Sequence, residues 1–129
     1  MTKTSSEKHI EYVPSKLHTN IFQLDVLERK ITCQVIKMKD SIVIYVNEND
    51  TPEFNNLALA MKDRYSSEPI STVLVGDFNE DFSKNTTSKL CKKLNKVVFL
   101  SWNVRQDRLL MPLLEKQIYE KIKSSPDMF

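Results

Sequence analysis

The first half of the chain alternates hydrophobic and polar residues with the two-residue period of half-buried β-strands. This period is clear in residues 22–26 and again in residues 31–35. The polar residues 39–41 are few enough to form a hairpin turn, and residues 42–46 form a continuous apolar run, which is typical of a strand covered on both faces. We therefore predict that the fold opens with three antiparallel strands.

A helix is predicted next, because residues 51–53 have the composition of a helix start. Thr51 is suited to the N-cap and Pro52 to the first helical position, while Glu53 is favoured near the positive end of the helix dipole. The apolar residues that follow recur at helical spacing up to about Ser66 and would form one face of the helix. They are Phe54, Leu57, Ala58, Met61 and Tyr65.

The remainder of the chain alternates strands and helices. Residues 70–75 and 97–102 are apolar enough for two further strands, and residues 85–95 have the pattern of an amphipathic helix. Apolar residues recur every four positions over residues 110–122, which predicts a final helix. Pro112 falls in the first turn of that helix, where its missing backbone donor costs no hydrogen bond.

These elements follow one another in the order β-β-β-α-β-α-β-α. We predict a single α+β domain (α/β mixed), built on a largely antiparallel sheet of about five or six strands with three helices. With 129 residues and a hydrophobic fraction of 40%, the chain is large enough to bury a core of its own. Residues 1–15 are rich in Ser, Thr, Lys and Glu and are predicted to form a flexible N-terminal tail, followed by a domain that spans residues 16–129.

The cysteines and the N-terminal residues indicate the compartment. Cys33 and Cys91 lie far apart and match no metal-binding or redox spacing, so they are expected to be free thiols in a reducing environment. Residues 1–15 contain no signal-peptide core, and no apolar run is long enough to span a bilayer. We expect a protein of the cytoplasm or the nucleus.

Residues suited to catalysis are scarce in this sequence. Gly76 is the single glycine, whereas the phosphate-binding loops of nucleotide-binding proteins require several. The two histidines, His9 and His18, lie in or beside the predicted tail, which disfavours a histidine-based triad or metal site. Cys91 lies on the apolar stripe of a predicted helix and is expected to be a core residue. We therefore predict no catalytic residues, no metal and no cofactor, in a protein that is not an enzyme.

A row of lysines at the helix predicted for residues 85–95 is one of two features suited to binding. Lys89, Lys92, Lys93 and Lys96 would extend over about 10 Å at the helical rise of about 1.5 Å per residue. Such a ridge is either a solvated helix face or a contact for phosphates or an acidic protein surface. A nucleic-acid-binding module is therefore an alternative function, although the net charge is only +2 and no aromatic residues interleave the lysines to stack on bases.

The other feature is the apolar character of the strands at residues 42–46 and 97–102. Both faces of such strands must be kept from water, so either this chain's own helices cover both faces or a partner covers one. The pattern alone leaves both possibilities open. Tyr45 and Trp102 favour a partner, because tyrosine and tryptophan anchor many protein interfaces.

A series of short segments runs in order through the chain. They are Asn56-Leu57-Ala58-Leu59-Ala60-Met61, Arg64-Tyr65, Pro69-Ile70-Ser71-Thr72, Leu74 with Gly76-Asp77, Lys93-Leu94-Asn95-Lys96-Val97-Val98-Phe99-Leu100-Ser101 with Asn103, Leu113-Leu114-Glu115 with Ile118, and Pro126-Asp127-Met128-Phe129. Together they resemble the proteasome assembly chaperone 4 family over roughly residues 17–129. The chain departs from the family pattern before Leu17, and at Trp102, where that pattern has tyrosine.

This resemblance implies a function in complex assembly. Proteins of that family pair with a related chaperone, proteasome assembly chaperone 3, into a heterodimer whose sheets face each other with the helices outside. The pair escorts α-subunits into the α-ring of the 20S proteasome without using a nucleotide. The implied candidates for contact with the partner chaperone are Val43, Tyr45, Phe99 and Trp102. The implied candidates for contact with an α-subunit are Asp77, Lys89, Lys92, Lys93 and Lys96.

Overall fold

The chain opens with the predicted antiparallel meander. The computed structural model describes residues 10–14, 17–48, 53–77, 81–105 and 107–129. The first three strands are β1 (His18–Val26), β2 (Arg29–Lys37) and β3 (Ser41–Glu48). Only Leu27 and Glu28 connect β1 to β2, and both have positive φ angles, 50° and 63°. Two residues in this conformation match the twist of the strands they join, so the hairpin is tight although neither residue is glycine.

The remaining elements complete one mixed sheet. They are β4 (Leu57–Met61), β5 (Ile70–Val75), α1 (Asp81–Leu94), β6 (Val97–Asn103), α2 (Leu110–Ser124) and a short 3-10 turn (Pro126–Met128). The six strands lie in the spatial order β1-β2-β3-β6-β4-β5. β3 and β6 are parallel, whereas every other neighbouring pair is antiparallel. The prediction of a single α+β domain with a largely antiparallel sheet is confirmed.

The helix predicted to begin at residues 51–53 and to end near Ser66 is wrong. Thr51 and Pro52, its expected start, lie outside the described residues, and residues 57–61 form the strand β4. The described part of the chain therefore contains two α-helices instead of three. The order of its elements is β-β-β-β-β-α-β-α, followed by the 3-10 turn.

Packing explains why this segment is a strand. Ala58 and Ala60 are fully buried, whereas Leu57 and Leu59 are half-buried on the other face, so the burial follows a two-residue period. β4 pairs with β6 on one side and with β5 on the other. A strand in that position pairs its backbone N–H and C=O groups with both neighbouring strands. This tertiary context overrides the helical preference of alanine and leucine.

The two helices lie close to their predicted positions. α1 begins at Asp81, earlier than the predicted residue 85, and places an acid in its first turn, where the helix dipole favours negative charge. Its end is marked by Asn95, which has a φ angle of 59° and donates its backbone N–H to the carbonyl of Cys91 at 2.8 Å. In α2, Pro112 occupies the first turn as predicted.

Both helices pack on the same face of the sheet. α1 covers β4, β5 and β6, and α2 covers β1. Their buried residues join those of the strands in one hydrophobic core. Its largest fully buried side chains are Ile31, Val35, Ile42, Ile44, Val46, Leu90, Val98, Leu100, Leu110 and Leu114. Cys33 and Cys91 are also buried, and both are free thiols, as predicted.

The N-terminal segment is only partly described. Residues 1–9, 15 and 16 lie outside the described residues, so the flexible tail at residues 1–15 and the domain start at residue 16 stay predictions. Residues 10–14 are exposed, including the hydrophobic side chains of Ile10, Tyr12 and Val13. Within the described ranges, neither helix has the length and hydrophobicity needed to cross a membrane.

Candidate partner-binding surface

One face of the sheet has no helix packed against it in the described part of the chain. We call it the open face; it bears Val43, Tyr45 and Phe99, whose positions alternate with the buried residues of β3 and β6. Val43 lies directly beside Phe99 in the parallel pairing of these strands. Among the described residues, the helices pack on one face of these apolar strands and leave the other face without a helix.

Four hydrophobic residues form a continuous row across the open face. Ile36 is opposite Val43, Val43 is opposite Phe99, and Phe99 is opposite Leu59, in the neighbouring strands β2, β3, β6 and β4. Each of the four is half-buried by its neighbours within the sheet. We call them the apolar row. A contiguous apolar row on an uncovered sheet face indicates contact with another protein.

Exposed residues extend the apolar row toward both edges of the sheet. Ile21 in β1 is 62% exposed, and Ile70 in β5 is 54% exposed and lies opposite Met61. Charged residues appear at the margin of the same face, where Asp25 of β1 lies opposite Lys30 of β2. An apolar centre with a polar margin is the usual anatomy of a protein interface.

Tyr45 connects the open face to the segment that precedes β4. Its hydroxyl donates a hydrogen bond to the backbone carbonyl of Glu53 and accepts one from the Glu53 N–H at 3.1 Å. Its ring stacks on Phe54, with 6.4 Å between the ring centroids and 6° between the ring planes. Phe54 is itself 55% exposed. The predicted contact residue Tyr45 therefore belongs to an oriented aromatic pair at the margin of the open face.

Buried polar residues close one end of the open face. Ser101 donates a hydrogen bond to the backbone carbonyl of Asn56 at 2.6 Å, and the Asn103 side-chain amide donates one to Ser101 at 2.7 Å. The Asn103 amide oxygen accepts the N–H of Asn55 at 2.7 Å. This hydrogen-bonded network was not predicted from the sequence. Its only signal is the occurrence of Ser101 and Asn103 at alternate positions of an otherwise apolar strand.

Trp102 lies on the helix-covered face, so its inclusion among the partner-contact candidates is wrong. It is 4% exposed, and its ring packs edge-on against Phe82 of α1 with 5.1 Å between the centroids. Trp102 and Phe99 are three positions apart in one strand, and their side chains must therefore point to opposite faces. The structure brings Val43, Tyr45 and Phe99 together and assigns Trp102 to the core.

The lysines considered for α-subunit contact do not form a bare positive ridge. Lys89 lies 3.4 Å from the carboxylate of Glu115, and Lys92 lies 2.9 Å from that of Glu68. Both partners of the Lys92–Glu68 pair are exposed, so that pair is weak, whereas the Glu115 side chain that faces Lys89 is only 15% exposed. The neighbouring acids nonetheless reduce the local positive charge that phosphate binding requires.

The other candidates for this contact are placed differently. The Lys93 ammonium lies 5.6 Å from the ring centroid of Tyr119. Lys96 is half-buried and donates a hydrogen bond to the backbone carbonyl of Phe129 at 3.1 Å, and its burial lowers the pKa of its ammonium group. Asp77 is exposed just after β5 and precedes α1, whereas the four lysines lie in or after the second half of that helix. The structure therefore does not gather all five residues into one site.

The two cysteines are poorly suited to chemistry. Both are fully buried, and this burial raises the pKa of the Cys91 thiol and raises that of Cys33 to about 12. A thiol reacts as a nucleophile only after deprotonation, so burial disfavours the reactive form of both. Across the described ranges, no three His, Cys, Asp or Glu side chains are grouped so that they could hold a metal ion.

Comparison with known proteins gives the family. The model for proteasome assembly chaperone 4 matches residues 30–104, which run from β2 to just beyond β6. The Homo sapiens protein named proteasome assembly chaperone 4 is 35% identical over 109 residues, which cover 84% of this chain and 87% of the relative. The Mus musculus protein of the same name is 32% identical with the same coverage. This chain belongs to the proteasome assembly chaperone 4 family.

A solved structure shares the fold of this chain. It is the crystal structure of a chaperone complex for yeast 20S proteasome assembly, with a TM-score of 0.64 at 11% identity. The match covers 85% of this chain and 98% of that chain. At so low an identity the likeness shows the fold alone. The family match over residues 30–104 includes the whole apolar row, and it confirms the resemblance that the sequence segments indicate.

Proposed function

We propose that this protein is a chaperone for assembly of the α-ring of the 20S proteasome, and that it acts as a heterodimer with a related chaperone. The observation that carries the proposal is the apolar row on the open face, formed by Ile36, Val43, Phe99 and Leu59. Family membership supports the function in assembly, and the apolar row is a surface through which that function can operate. The proposal contains no covalent step, because holding a subunit requires only reversible burial of surface.

The partner proposed for the open face is a protein similar to proteasome assembly chaperone 3. Two sheets that pack face to face lie about 10 Å apart, with the side chains of both faces interdigitated. In such a pair the apolar row would become the central layer and the helices would stay outside. Ile21, Met61 and Ile70 would be covered at its margins. The yeast structure with the same fold is a chaperone complex, which supports pairing with another chain.

Proteasome α-subunits are the proposed cargo. Asp77, Lys89, Lys92, Lys93 and Lys96 remain proposals for this contact. Lys89 and Lys92 are the best placed, because both side chains are more than half exposed on α1. An acidic surface on an α-subunit would have to replace their present partners. This costs little for Lys92, because an exposed ion pair such as Lys92–Glu68 contributes at most about 1 kcal/mol.

The alternative of nucleic-acid binding through the lysines receives no support from the structure. Lys89 and Lys92 lie beside acids, and Lys96 is half-buried. The protein also has a net charge of only +2. We therefore propose a single function. We further propose the cytoplasm or the nucleus as its location, which the two free thiols favour.

Co-expression with proteasome assembly chaperone 3 of the same organism tests the heterodimer. Light scattering on the purified complex should give the mass of one copy of each chain. Phe99→Glu should abolish the complex, because a carboxylate buried at the centre of the interface would have no partner. Lys116→Glu, on the exposed side of α2, should leave the complex intact. A folded wild-type chain that stays monomeric and binds neither the partner nor any α-subunit would contradict the proposal.

A further inference from the structure

The two edges of the open face differ in their chemistry. At the β5 edge, Met61 follows the buried Ala60 in β4, and Leu74 follows the buried Val73 in β5, so both side chains point to the open face. Met61 is 41% exposed and Leu74 46% exposed. Ile70 lies opposite Met61 in the pairing of β4 with β5 and shares its face. We call Met61, Ile70 and Leu74 the β5 patch.

The β5 patch is continuous with the apolar row. Leu59, which belongs to the row, precedes Met61 by two positions in β4 and therefore lies beside it on the same face. Leu59 also lies opposite Thr72, which is placed between Ile70 and Leu74 along β5. The open-face positions of the described strands β4 and β5 include no charged residue. The apolar surface therefore extends without a charge from the row to the β5 edge of the sheet.

The β1 edge of the open face is polar. Asp25 lies opposite Lys30, and Ile21 lies opposite Gln34, while Gln23 stands between Ile21 and Asp25 along β1. Ile21 is thus an exposed apolar side chain among polar neighbours. Covering this edge with another protein would remove water from two charged groups and two amides. That is unfavourable unless each of them finds a new hydrogen-bonding partner.

We propose that the partner chaperone anchors on the β5 patch, with its sheet centred over β6, β4 and β5. This inference rests on the proposed function, which assigns the apolar row to that partner, and the β5 patch continues the row. The partner would present large apolar side chains to the β5 patch, and polar side chains or water to β1 and β2. A few desolvated anchors carry most of the affinity of an interface, whereas contacts at its hydrated rim contribute little. Ile21 belongs to that rim in spite of its exposure.

Two isoleucines at opposite edges of the open face provide a matched test. The full-length variants Ile70→Ser and Ile21→Ser are titrated with the partner chaperone of the same organism, and the Kd is measured by isothermal titration calorimetry. Ile70→Ser and Leu74→Ser should each raise the Kd by about tenfold or more, whereas Ile21→Ser should raise it by less than about threefold. All three side chains are exposed, so the thermal unfolding of each variant alone should stay close to that of the wild type.

Hydroxyl-radical labelling of the wild-type chain gives a second measurement that requires no variant. Oxidation of Met61 should fall several-fold when the partner chaperone is added, because the thioether becomes covered. Leu109 is exposed just before α2 and is the control, since its labelling should not change.

Binding of the wild-type chain separates this inference from the proposed function. If the wild type binds the partner but Ile70→Ser weakens binding no more than Ile21→Ser, or Met61 stays unprotected, the β5 patch is not the anchor and the heterodimer still stands. Normal partner binding by Ile70→Ser together with loss of an α-subunit would also overturn the inference, because the β5 patch would then contact the cargo. Failure of the wild-type chain to bind the partner would overturn the heterodimer itself.

Discussion

Arg29 and Glu48 join the first residue of β2 to the last residue of β3 through a two-pronged ion pair. The Arg29 guanidinium donates one hydrogen bond from Nε to Glu48 Oε2 at 2.7 Å and a second from Nη2 to Oε1. Glu48 also accepts the backbone N–H of Arg105 at 3.3 Å, so the pair ties the meander to the chain that leaves β6. The hydrogen bonds from Arg29 lower the pKa of the Glu48 carboxyl group.

Glu48→Gln is expected to lower the free energy of unfolding at neutral pH by about 1–3 kcal/mol, as for other hydrogen bonds to charged groups. The pKa of Glu48 is lower in the folded than in the unfolded protein. The ion pair therefore contributes its full stability above the unfolded pKa and loses it as the pH falls through the folded pKa. The difference between wild type and variant should be constant near neutrality and shrink below about pH 4. Urea unfolding over this pH range measures it.

Glu120→Gln is the control for this pH dependence, because Glu120 is an exposed residue of α2. Its unfolding free energy should follow that of the wild type at every pH. If the difference between wild type and Glu48→Gln kept the same size down to about pH 3, the pKa of Glu48 would not be linked to folding.

The β1–β2 hairpin leads to a second prediction. Leu27 and Glu28 both adopt left-handed backbone angles, which cost a residue with a Cβ atom roughly 1–2 kcal/mol. Replacing the pair by Asn-Gly should raise the unfolding free energy by about 0.5–1 kcal/mol, because this dipeptide adopts the same turn with less strain. Glycine also increases the conformational entropy of the unfolded chain, but this offsets only part of the gain. Thermal unfolding measures the gain. Glu28→Ala retains a Cβ atom and should give none, so equal stabilisation by Glu28→Ala would contradict the account.

The meander and β4 show which elements a local sequence pattern can predict and which it cannot. Residues 22–26 and 31–35 alternate strictly, and a strand with one face on a core requires that pattern, so β1 and β2 could be predicted. The sequence of β4 is compatible with both periods, because Leu57, Ala58 and Met61 also fit one face of a helix. This segment is a strand because it pairs with β5 and β6. Such long-range pairing cannot be read from a local sequence pattern.

The candidate interface shows a similar limit. A continuous apolar run such as residues 97–102 predicts a strand with two dry faces, but it does not say which residues face the helices. Phe99 could be assigned to the open face only once the register with Val43 was known. Phe99 and Trp102 are nonetheless three positions apart in one strand, so their side chains point to opposite faces. The sequence alone therefore excludes that both contact one partner through the same face.

Asn56 leads to a third prediction, because its buried side chain connects α1 to β6. Its amide oxygen accepts a hydrogen bond from the Ser83 hydroxyl at 3.1 Å and one from the backbone N–H of Trp102 at 3.4 Å. Asn56→Leu keeps a similar volume but leaves both donors without an acceptor in a buried site. The expected loss of unfolding free energy is about 1–3 kcal/mol per unsatisfied group. Chemical denaturation of the chain alone measures it.

The control for Asn56 is its neighbour, Asn55. The Asn55 side chain is exposed and donates a hydrogen bond to Glu53 at 3.1 Å. Asn55→Ala should therefore change the unfolding free energy by less than about 0.5 kcal/mol. Equal effects of the two substitutions would mean that the buried network between α1 and β6 contributes nothing specific to stability.

Phe99 and Trp102 give the final prediction, in which stability and partner binding separate. Trp102→Ala should lower the unfolding free energy of the isolated chain by about 3–5 kcal/mol, as for other large core residues. The milder substitution Trp102→Phe should give a chain that folds and binds the partner chaperone normally. Phe99→Ser should leave the isolated chain nearly as stable as the wild type, because Phe99 is half-buried on the open face. It should nonetheless lose the heterodimer, since a central apolar anchor is removed. Thermal unfolding and light scattering measure the two properties. Weak partner binding by Trp102→Phe, with normal binding by Phe99→Ser, would show that the partner contacts the helix side of the sheet instead.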